Sequence, residues 1–68
     1  MNTLESKLRI AHQIQVAAIK KGMGCGINAF DKSFSIALND KEGGLVEIVW
    51  CWDKTEQELL DWWEAIAK

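Results

Sequence analysis

Apolar residues recur every three to four positions between residues 3 and 21, a spacing that predicts a helix. At about 100° per residue, Leu4, Leu8, Ala11, Ala18 and Ile19 fall on one arc. Ile10, Ile14 and Ala17 widen that arc to roughly half the cylinder, enough to predict contact with two surfaces. Glu5, Arg9, Gln13 and Lys20 take the opposite side. Asn2 is placed to cap the start, with Glu5 three residues later in a box-like arrangement. Gly22 suits the end, because glycine accepts the left-handed conformation required there.

Met23-Gly24-Cys25-Gly26 reads as a loop, and beyond it the period changes to two. A strand over about 29–38 would place Phe30, Phe34, Ile36 and Leu38 on one face. Asp31, Ser33 and Ser35 would lie on a wet face opposite. Asn39-Asp40-Lys41-Glu42-Gly43-Gly44 has the length and composition of a hairpin turn. A second strand over about 45–52 puts Val46, Ile48, Trp50 and Trp52 on one side and Leu45, Val49 and Cys51 on the other. Glu47 is its lone charge, so cover on both faces is expected. Thr55-Glu56-Gln57-Glu58 is a capping box that opens a final helix over about 55–67. Its apolar arc is Leu59, Leu60, Trp62, Trp63, Ile66 and Ala67, with Asp61, Glu64 and Lys68 opposite.

These elements predict one α+β domain spanning 1–68 in the order αββα: a two-stranded antiparallel hairpin packed against N- and C-terminal helices. A lone hairpin is marginal in water, and each of its strands has a free edge. A homodimer that joins or stacks two hairpins is the expected completion of the fold.

Composition sharpens this picture. Four tryptophans fall between positions 50 and 63 of a 68-residue chain that has no tyrosine and no proline. A core of this size supplies only about 3–5 kcal/mol of net stability. Yet 49% of the residues are hydrophobic, so either the core is dense or apolar surface is reserved for a partner. Trp50, Trp52 and Trp63 are expected in the core, and Trp62, at the edge of its arc, is the candidate contact residue.

The net charge of −2 is unevenly spread: +3 over residues 1–22, −2 over 23–52 and −3 over 53–68. That asymmetry is too small to require nucleic acid or membrane as a partner. No signal peptide or bilayer-spanning run is expected, and the cytoplasm is the expected location.

Catalytic chemistry finds little support. Gly22-Met23-Gly24-Cys25-Gly26 follows a helix and precedes a strand, the reverse of a phosphate loop. Cys25 and Cys51 suggest no disulfide framework, and Cys51 alternates inward in its strand. Whether Cys25 is reactive stays open. His12 has no metal-ligand partner at a suitable spacing. The carboxylates of the last helix read as its solvated side, whereas Glu47 must be paired, exposed at an edge or held at an interface. No catalytic residue, cofactor or metal is expected. The leading reading is a non-enzymatic protein–protein interaction module, a small regulator or inhibitor of bacterial or phage type, the type resting on analogy alone. Its partner is itself, another protein or both. The alternative is a nucleic-acid-binding accessory protein that uses the basic face of the first helix. Candidate partner-binding residues are Trp62, Glu47, Arg9 and Lys20.

Overall fold

The computed structural model describes residues 3–30 and 32–67, with only the backbone of Phe30. Five elements follow one another: α1 (Leu4–Lys20), β1 (Gly24–Phe30), β2 (Ser33–Asn39), β3 (Leu45–Trp50) and α2 (Glu56–Ala67). The strands form a three-stranded antiparallel sheet in the order β1-β2-β3. The α+β class therefore holds, but the order is αβββα rather than αββα.

The added strand comes from the segment expected to be a loop. Glycine is disfavoured in strands, so Gly24 and Gly26 conceal the alternation around them. Cys25 and Ile27 turn inward against the core while Gly24, Gly26 and Asn28 turn outward. Phe30 is paired to Ser33, so the chain has reversed where the sequence predicts an unbroken strand. Lys32 takes φ of 64° in that reversal. The expected faces of Phe30 and Asp31 lie outside the described side chains, as do the proposed cap Asn2 and Lys68.

The helix ends are built as the residue types require. Thr3 caps α1 by accepting the Ser6 N–H at 3.1 Å. At the other end Gly22 takes φ of 81°; its N–H reaches the Ile19 carbonyl at 3.0 Å and Met23 N–H reaches Ala18 at 2.9 Å. This is a Schellman motif, with Met23 packed on the core. The capping box of α2 is present: Glu58 N–H donates to Thr55 Oγ1 at 3.1 Å, and Thr55 N–H donates to Glu58 Oε1 at 3.0 Å.

The Lys7 ammonium donates to the Cys51 carbonyl (2.9 Å), and Lys21 donates to Ala67 (3.3 Å). The start of α1 thus lies beside the entry to α2 and its end beside the end of α2, so the helices run in the same direction. Together they cover one face of the sheet. Ala11, Ile14 and Ala18 of α1 and Leu59 and Trp63 of α2 are buried with Phe34, Ile36, Leu38, Val49 and Cys51. Leu4 and Ile19, placed on the inner arc by the helical wheel, are exposed.

Candidate protein-contact surface

Residues directly opposite in adjacent strands share a face. One face carries the row Ile27–Ile36–Val49 and the pair Phe34 and Cys51, and these are packed into the core under the helices. On the opposite, outer face three rows cross all three strands: Gly24–Asn39–Leu45, Gly26–Ala37–Ile48 and Asn28–Ser35–Trp50. None of those side chains is charged. No described helix packs on them.

The outer face is uneven in height. Along β1 and β2 it is low at Gly24, Gly26, Ser35 and Ala37, with Asn28 and Asn39 the larger side chains in its outer rows. A Cβ added at Gly26 would meet nothing within 4 Å. Along β3 it rises into a ridge of Leu45, Ile48 and Trp50, all exposed, and Trp52 stands 69% exposed just beyond the strand. Ser35, expected on a wet face, is only 3% exposed, directly opposite Trp50 in the register.

A bulge helps to make the ridge. Leu38 pairs with Glu47 but Asn39 pairs with Leu45, so Val46 is an extra residue in β3. Strict alternation would put Leu45 with Val49 and Cys51. The bulge turns it to the outer face instead.

The sheet edges are partly closed. The Cys51 N–H bond to the Phe34 carbonyl (3.0 Å) sets the ladder phase. In that phase the backbone groups of Val49 and Glu47 point to β2, and the Ile48 N–H points away from the sheet. Glu47 Oε1 accepts that N–H at 3.3 Å. On the other edge the Cys25 carbonyl points outward and accepts from Gln15 Nε2 of α1 at 3.1 Å. An inward-facing charge and a bulge on an edge strand are devices that discourage strand addition.

The sequence-derived candidates are scattered by the fold. Glu47 sits at the β3 edge, one of the three places anticipated for it. Trp62 is half-buried and packs against the core. Arg9 and Lys20 come together on the solvent side of α1, lining a shallow depression of about 510 Å³ with His12, Gln13, Val16 and Ala17. The flanking cations Lys7 and Lys21 are engaged by the Cys51 and Ala67 carbonyls. Of the three tryptophans assigned to the core, only Trp63 is buried; Trp50 (45% exposed) and Trp52 face outward. Of the set Val46, Ile48, Trp50 and Trp52, the register places Ile48 and Trp50 together on one side, but it is the outer side and not the core side that hydrophobicity alone suggests. The smaller Val49 and Cys51 form the inner set because they meet Ile36 and Phe34.

The two thiols are free: Cys25 lies on β1 opposite Leu38 and Cys51 follows β3 opposite Phe34, so they are separated by two strand spacings across the sheet and four residues along it, well over about 10 Å. That exceeds disulfide reach. Cys51 is fully buried, and burial pushes its thiol up to about 11, against the opposing pull of Lys7. Burial also raises the Cys25 thiol. Neither environment favours a thiolate. Among the described residues, no group of three or more His, Cys, Asp or Glu side chains is gathered to hold a metal.

Comparison with known proteins gives no match to a family model, a curated protein or a solved structure. The reading of this chain therefore rests on its surface. Among the described residues no helix is long and apolar enough to cross a membrane.

Proposed function

We propose that the protein is a non-enzymatic protein-binding module whose contact surface is the outer face of the sheet. One observation carries this reading: an uncharged face bears Leu45, Ile48 and Trp50, all exposed, and Trp52 is exposed just beyond the end of β3. Contact surfaces are marked by aromatic residues at their centre and by depletion of charge, and small chains rarely expose such a patch without use. The tryptophans supply large area with few rotatable bonds, as binding hot spots do. Action as a small regulator or inhibitor requires no more than such a surface. Nucleic acid fits it poorly, because the face offers no cation to a phosphate.

The test is site-specific photo-crosslinking. A benzophenone side chain replaces Ile48 on the outer face in one variant and Glu64 on the exposed side of α2 in another. The proposal predicts polypeptide adducts from position 48 well in excess of those from position 64. Equal yields from the two positions, or adducts to nucleic acid alone, would overturn it.

A further inference from the structure

We infer that the occupant of the outer face is a second copy of this chain, stacked face to face about a two-fold axis running along β2. The inference rests on reading that face as a contact surface, and it names the partner. Its basis is the relief of the face. A two-fold rotation about an axis parallel to the strands and above β2 exchanges the β1 and β3 sides while keeping each row at its own height along the strands. Ile48 of one copy then lies over Gly26 of the other, and Leu45 lies over Gly24. Each ridge enters the other copy's trough, and the contact closes on itself as an isologous dimer.

Two further observations agree with a second copy as the occupant. Like-charge repulsion is the usual obstacle to self-stacking, and none of the three rows contains a charge. Edge-to-edge joining is disfavoured by Glu47, by the Val46 bulge and by the Gln15 contact, which favours stacking over extension of the sheet. The product is an aligned sandwich with the helices outside. Sheets in such sandwiches sit about 10 Å apart, a gap that large side chains over glycines can fill. The size is modest. Three strands about 4.8 Å apart and some six residues long give a face of roughly 15 by 20 Å. Two such faces present roughly 600 Å² in outline, below the usual size of a specific interface, so a weak, concentration-dependent dimer is expected.

Light scattering from micromolar to millimolar protein tests this on the wild type, Ile48→Asp and Gly26→Val. Gly26→Val is the sharper variant. A Cβ at this position meets nothing within 4 Å in the monomer, and the side chain directed outward from it fills the trough only of a stacked partner. The wild type should pass from monomer to dimer. Both variants should self-associate at least about tenfold more weakly, with Gly26→Val melting no lower than the wild type when monomeric. A wild type that stays monomeric throughout overturns the second copy. In that case, position-48 adducts to a different polypeptide would still uphold the contact surface. A dimer that survives Gly26→Val overturns ridge-in-trough stacking. One that survives Ile48→Asp as well places self-association elsewhere.

Discussion

Glu58 shows how much a single side chain does at a helix start. The Thr55 N–H donates to its carboxylate, and this bond, with a further contribution from the Thr55 hydroxyl, holds its carboxyl below the usual carboxylate range. A carboxyl with a depressed folded-state pKa stabilises the fold above its unfolded pKa, and that contribution is lost as the pH falls through the folded value. Glu58→Gln should therefore lower stability near neutral pH, and its difference from the wild type should close in acid. Urea unfolding at neutral and acid pH reads this out. An equal difference at both would show that the charge plays no part. This capping box is among the features fully legible in the sequence, because its pattern is local. Burial of individual tryptophans is not local. Trp50 and Trp63 are the same residue type in equally apolar surroundings, and only the packing of α2 and the phase of β3 separate them.

The two hairpins illustrate the same limit for elements. The β2–β3 turn is readable because its residues enforce it: Asp40 Oδ1 accepts the N–H groups of Glu42 (2.9 Å) and Gly44 (2.8 Å), and Gly43 takes φ of 86°. The β1–β2 turn carries no such signal, since Lys32 occupies a left-handed position that glycine or asparagine usually fills. Lys32→Gly should stabilise the protein by about 0.5–1 kcal/mol, the strain relieved exceeding the added chain entropy. Thermal unfolding measures it, and a destabilised variant would contradict the assigned backbone. The same missing signal explains why β1 is misread from sequence: its glycines resemble a linker, and only the pairing with β2 reveals that they occupy one side of a strand.

At the scale of the molecule, two parallel helices close one face of a three-stranded sheet and leave the other open. The apolar surplus visible in the composition is therefore divided between a one-sided core and an external ridge. The sequence's pairing problem for a lone hairpin is solved within the chain by β1, yet β3 remains apolar on both faces. The most direct test of the central claim is an amide and tryptophan-indole NMR titration from micromolar to millimolar protein, which maps the contact surface residue by residue. Shift changes should cluster at Gly24, Gly26, Ala37, Ile48 and Trp50, with Arg9, His12 and Lys20 unmoved. Changes gathered on α1 around Arg9 and Lys20, with the outer face silent, would contradict it.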